Sequence, residues 1–175
     1  MKILLLVIFF ISCSTGSVKK TEPLGAGQDQ PSVDSFYKIE SSRDWIKEAV
    51  RVANCVTVNS DFHKEIISID KYEHFTGDSK DIVKSLISSK VAIVGTYYKR
   101  FTKAIAYRNI GSDKIWYNTK HAGSSVKSKV KTMIHERLHV LGYGHKGNNP
   151  AKYNNRDSVP YKVSGLGEKY VEGCK

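Results

Sequence analysis

His135-Glu136-Arg137-Leu138-His139-Val140-Leu141-Gly142-Tyr143-Gly144-His145 sets three imidazoles, one carboxylate and a glycine at fixed intervals, the pattern HExxHxxGxxH. Residues four apart on an α-helix lie about 40° apart around its axis and one turn apart along it, so His135 and His139 can grip a single ion. Glu136 is rotated by about 100° from His135, so it can flank that ion and reach a water beside it, the place of a general base. Gly142 tolerates the left-handed conformation that ends helices, and the chain can then return His145 as a third nitrogen. Three neutral ligands leave one tetrahedral position open, whereas a structural zinc site normally closes with four protein ligands. Zn²⁺ is therefore the expected cofactor, with the chemistry of an open site: acidified water and a polarised carbonyl.

Upstream, Val126, Val130, Met133, Ile134, Leu138 and Leu141 recur at spacings of three and four and predict an amphipathic helix that begins near Ser124 or Ser125. Ser128, Thr132, His135 and His139 fall on the opposite side. Periodicity alone accounts for the apolar stripe, but it does not require histidines at two particular positions or a third beyond the break. Arg137 projects into the middle of the apolar arc and must snorkel or find a partner.

The stretch from His135 to His145 resembles the signature of the metzincin metalloendopeptidases, with Gly142 and His145 at that family's glycine and third histidine. The resemblance implies that His135, His139 and His145 bind zinc and that Glu136 activates water and then protonates the leaving amine. It also implies a methionine-containing turn downstream of the third histidine, yet the only methionines are Met1 and Met133, both upstream. Asp157-Ser158-Val159-Pro160-Tyr161 is the nearest stand-in, with Val159 in the methionine's apolar place. Tyr161 then falls where some metzincins keep a tyrosine that binds the metal or stabilises the transition state.

The amino terminus has a charged start, Met1-Lys2, and a nine-residue apolar core, Ile3 to Ile11, too short for a spanning helix and suited to a signal peptide over residues 1–12. Ile11-Ser12-Cys13 resembles the end of a bacterial lipobox, which would make Cys13 the lipidated first residue; Phe10 departs from that pattern, and ordinary cleavage that frees a periplasmic or secreted protein is the alternative. Ser14 after the cysteine implies, by the same resemblance, an address at the outer membrane or cell surface if the source is a diderm bacterium. Residues 13–35 are poor in apolar side chains and read as a flexible tether with a reach of roughly 25 Å; a pro-segment over the zinc is the other reading.

Residues 36–175 are enough for one domain. Strands are expected at Phe36–Glu40, Phe62–Ile69, Val91–Tyr98, Lys103–Arg108 and Lys114–Asn118. A helix should open at Ser41–Asp44 and another should cover Ser79–Ser89, ahead of the histidine-bearing one. The fold class is α+β, a zincin-like single domain. Its sheet should be mixed and mostly parallel, and the order of strand, helix, four strands and zinc helix is the one metzincin domains share.

With Cys13 lipidated or removed, Cys55 and Cys174 remain as an even pair in an exported chain, and a disulfide is the expected reading over a zinc-blocking Cys55 thiolate. His63, His74 and His121 lack partners at ligand spacing and read as surface residues. Tyr97, Tyr98, Tyr107, Trp116 and Tyr117 fit strand packing, and some can line a substrate groove, since in the resembled family an edge strand pairs with the substrate backbone. The net charge of +11, with Lys127, Lys129 and Lys131 on the first turns of the zinc helix, reads as a solvated basic surface or one that meets anionic lipid, wall polymer or acidic substrate.

The expectation is thus an envelope-anchored, monomeric zinc endopeptidase with a peptide or protein substrate, a membrane reached through the lipid anchor and no nucleic-acid partner. A peptidoglycan cross-link hydrolase with the same chemistry and a non-enzymatic, zinc-containing envelope-binding lipoprotein are the alternatives.

Overall fold

In a computed structural model the described residues are 36–146 and 155–175, within one compact unit. The expected signal peptide, the lipidation at Cys13 and the tether to Ser35 lie outside them. The elements run β1 (Tyr37–Ile39), α1 (Asp44–Val58), α2 (Ser60–Ile67), α3 (Ser79–Leu86), β2 (Ala92–Tyr97), β3 (Ala106–Arg108), β4 (Lys114–Asn118), α4 (Val126–Val140) and α5 (Val159–Gly167). The class is α+β, with a four-stranded sheet in the order β1-β2-β4-β3. β1 and β4 flank β2 in parallel, and β3 pairs antiparallel to β4 at the edge.

Phe62–Ile69, expected as a strand, is instead most of α2. Its β-branched and aromatic content suggested a strand, but Asn59 caps a helix there: its Oδ1 accepts from the backbone N–H groups of Asp61 and Phe62 at 3.0 and 2.9 Å. Phe62 and Ile66, four apart, are the two residues α2 buries. Between β1 and the histidine helix there are therefore three helices and three strands, where one strand more and one helix fewer were expected.

α4 carries the motif. Ser125 caps it by accepting from Ser128 N–H at 3.1 Å, and Val130, Met133, Ile134 and Leu138 are fully buried against the core. α4 packs on α1, on α5 and on the β3–β4 side of the sheet, which fixes its outer face beside β3. The approach of α5 is close: a Cβ on Gly167 would stand 2.5 Å from Ile134 Cδ1. α1 is tied to β1 by buried Asn54, whose Oδ1 accepts from Phe36 and Tyr37 N–H at 3.2 and 3.1 Å. A disulfide joins Cys55 of α1 to Cys174, 119 residues away.

Arg137 is the largest fully buried side chain among the described residues. Its Nη1 donates to the carbonyls of Phe36 and Lys90, each at 2.7 Å, and Nη2 to that of Leu86 at 2.9 Å. The Leu86 carbonyl belongs to the last turn of α3, where unpaired carbonyls and the negative end of the helix dipole favour a cation. The guanidinium also lies 5.2 and 5.3 Å from the ring centroids of Phe36 and Tyr37. It pins α4 to β1 and α3, which is how a charge fits inside the apolar arc.

Three surface expectations are corrected. Lys129 is buried, its ammonium donating to the Ser124 carbonyl and lying 5.5 Å from the Trp45 ring centroid. His63 is half-buried and bonds the Thr57 carbonyl at 2.7 Å, and His121 is half-buried as well; His74 is exposed.

Candidate metal centre

The geometry of the site starts at the end of α4. Gly142 has φ +98°, a conformation that costs a side-chain-bearing residue about 1–2 kcal/mol. With it in place, Gly142 N–H bonds the His139 carbonyl at 3.1 Å and Tyr143 N–H bonds the Leu138 carbonyl at 2.9 Å, the paired bonds of a Schellman turn. The Tyr143 ring packs edge-on against Phe75, and its hydroxyl donates to Ser85 Oγ at 3.0 Å, so the turn is anchored on α3. The chain reverses there and brings His145 back.

The ligand nitrogens of His135, His139 and His145 lie within 4.8 Å of one another. Nδ1 of His139 stands 2.8 Å from the Tyr143 carbonyl, which can only accept, so this nitrogen carries the proton and Nε2 presents a lone pair. Nε2 of His139 is 3.2 Å from Nε2 of His135. Two nitrogens bound at roughly 2.0–2.1 Å to a tetrahedral zinc would stand about 3.3 Å apart, so this pair is already at ligand spacing. The donor set fits the ion: soft enough for Zn²⁺, held by a carbonyl behind one ring, and uncharged. Burial first, then the neighbouring His139 and His145, holds His135 down to about 3, with a hydrogen bond to the Pro160 backbone acting the other way. Burial also lowers His139.

Beside the histidines is a cleft of about 420 Å³. Its α4 wall is the polar face of the helix, Ser128, Thr132, His135 and Glu136, and Ile105 and Ala106 of the β3 segment form another side. Burial pushes the Glu136 carboxyl up to about 7, against the Arg108 guanidinium, which favours the charged form. Tyr161, on the first turn of α5, also lines the cleft, and its ring centroid is 4.5 Å from that of His135 and 5.2 Å from that of His145. Val159, two residues before it, is buried at the start of α5; the Asp157–Tyr161 stretch is a helix entrance with Ser158 at the cap.

The structure thus brings His135, Glu136, His139, His145 and Tyr161 to one place. Cys55 is held in its disulfide with Cys174. Sequence reasoning missed Arg108, whose field reaches Glu136 and His139, and the Lys131–Glu168 ion pair at 2.7 Å on the cleft wall. It also missed the Tyr143 carbonyl, the one feature of the three with a sequence signal, since a glycine just past a helix end places the next residue at the turn.

Compared with protein-family models, curated proteins and solved structures, the chain matches none.

Proposed function

We propose that this chain is a zinc-dependent endopeptidase of metzincin type, exported and anchored at the bacterial envelope through Cys13. The observation that carries the reading is the convergence of three imidazole nitrogens within 4.8 Å, with one pair at 3.2 Å, at the side of a cleft that also holds a carboxylate. Purely structural zinc has no use for a base beside it or for a cleft of about 420 Å³.

His135, His139 and His145 would hold the ion, which when bound supplies Lewis acidity that polarises a peptide carbonyl and makes water more acidic. Glu136 takes the proton from the attacking water and delivers it to the departing amine nitrogen. The phenol of Tyr161 donates a hydrogen bond to the oxyanion that develops on the carbonyl oxygen. Val159 stands in for the methionine that the family resemblance calls for. The His139 ring is kept in its donor-outward tautomer by the Tyr143 carbonyl, so no step has to wait for it to turn. The edge strand β3 offers its free backbone groups to an extended substrate lying along the cleft.

Glu136→Gln tests this directly. The variant should fold and bind zinc as the parent chain does, and its hydrolysis of a peptide library should fall by at least about 10²-fold. Cleavage at the parent rate would remove Glu136 from the chemistry. Peptidoglycan as a parallel substrate separates a peptidase from a cross-link hydrolase.

A further inference from the structure

Phe101 and Ile110 are the most solvent-exposed large apolar side chains among the described residues, at 91% and 98%, and they sit on the two turns that flank β3. Tyr98 and Tyr107 are exposed in the same stretch. From Tyr98 to Ser112 the chain carries Lys99, Arg100, Lys103 and Arg108 and no acidic residue. Lys99, Arg100 and Lys103 are exposed, and none of the three forms an ion pair among the described residues.

The first turn is held in place. Asn118, fully buried, accepts from Lys99 N–H at 3.2 Å and donates to the Lys99 carbonyl at 3.0 Å, and the Lys120 ammonium donates to the Thr102 carbonyl at 3.3 Å. The fold therefore presents Phe101 to water instead of letting it collapse onto the core. The Arg100 guanidinium lies 5.5 Å from the Phe101 ring centroid, so a cation accompanies that ring at the surface. β3, the edge strand of the sheet, spans only three residues, about 10 Å, and the two turns precede and follow it in the chain.

Isolated apolar side chains on a surface need no explanation, but a pair of nearly naked ones on the turns either side of one edge strand, with three cations free of ion pairs next to Phe101 in the chain, has a specific complement. That complement is apolar beneath and anionic on top. We infer that this edge is a peripheral docking surface for a bilayer containing anionic lipid, with Phe101 and Ile110 entering the acyl boundary while Lys99, Arg100 and Lys103 meet the headgroups. No helix among the described residues is long and apolar enough to cross a membrane, and none is required for contact of this kind. Ile105 and Ala106, between the two turns, line the cleft, so the docked edge is the cleft's own rim. The inference is independent of the metal and of any hydrolysis.

The full chain also carries the apolar stretch Ile3–Ile11, so the readout has to be local to the edge. Full-length Phe101→Trp is mixed with vesicles of phosphatidylcholine, with or without phosphatidylglycerol, whose acyl chains are brominated or plain; the parent chain supplies the Trp45 and Trp116 background. The indole introduced by Phe101→Trp should be quenched by brominated lipid only when phosphatidylglycerol is present. In the Phe101→Trp background, the partitioning read from that indole's quenching should fall roughly tenfold when Ile110→Ser is added. It should fall on the order of tenfold or more for Lys99→Glu with Arg100→Glu, and added salt should mimic that second loss. An unquenched indole, or quenching that these substitutions leave unchanged, would overturn the inference. So would indifference of the Phe101→Trp chain to vesicles together with a fluorescence response to soluble polyglutamate, which would assign the edge to an acidic polymer. These side chains are exposed, so circular dichroism and melting of the variants should match the parent.

Discussion

The His139 ring donates from Nδ1 to the backbone carbonyl of Tyr143 at 2.8 Å, across a turn that exists only because residue 142 accepts a positive φ. One glycine therefore does two things for the site: it stops α4 where His145 can return, and it aims a carbonyl at the back of a ligand ring.

Replacing Gly142 with alanine separates these effects from simple crowding, because no atom beyond its own chain neighbours lies within 4 Å of where its Cβ would stand. The strain alone should cost about 1–2 kcal/mol of stability in a denaturant melt. Displacement of the Tyr143 carbonyl should weaken zinc binding by roughly 10–100-fold. Gly144→Ala, where φ is not positive and the space is again open, should stay within about 0.5 kcal/mol of the parent. Equal behaviour of the two variants would show that the turn does not set the site.

Arg137→Met should destabilise the domain by on the order of 3 kcal/mol, since it strands the carbonyls of Leu86 and Lys90 without a donor and leaves that of Phe36 with the Ala92 N–H alone. Arg137→Lys should recover only part of that, because a single ammonium lacks the planar fork that serves three carbonyls at once. Chemical denaturation with a shared m-value reads both. A methionine variant as stable as the parent would mean that the buried charge is not what fastens α4 to β1 and α3.

The disulfide closes a separation of 119 residues and so restricts the unfolded chain strongly. Replacing Cys55 and Cys174 by serine should lower stability by about 4 kcal/mol in a denaturant melt. Neither cysteine is among the three clustered ligands, and zinc stoichiometry should be unchanged in the folded double variant.

Most of the ligand geometry was legible in the sequence because it is local. The interval from His135 to His139 is one helical turn, and the glycine at 142 announces the break, so three nitrogens could be placed with no knowledge of the rest. Tyr161 could be found only through the family resemblance, since the chain between His145 and Val159 carries no periodic signal. Arg108 and Glu168 could not be found: the field of Arg108 reaches Glu136 from β3, Glu168 lines the cleft from beyond α5, and the pairings that bring them there are long-range. Arg137 stood out as an anomaly whose partners were three backbone carbonyls, groups every residue has and no sequence marks. The error at Phe62–Ile69 has the same root. Its β-branched side chains favour a strand, while Asn59 and the four-residue spacing of Phe62 and Ile66 favour a helix, and packing against α5 sides with the helix.

The central claim is that His135, His139 and His145 together hold one zinc ion, and its direct test is zinc stoichiometry and affinity of the folded chain after exhaustive dialysis, beside His145→Ala. The parent should retain one zinc per chain, and the variant should bind it roughly a hundredfold more weakly while keeping its fold. A folded parent that takes up no zinc, or a variant that binds it as tightly as the parent, would contradict the account.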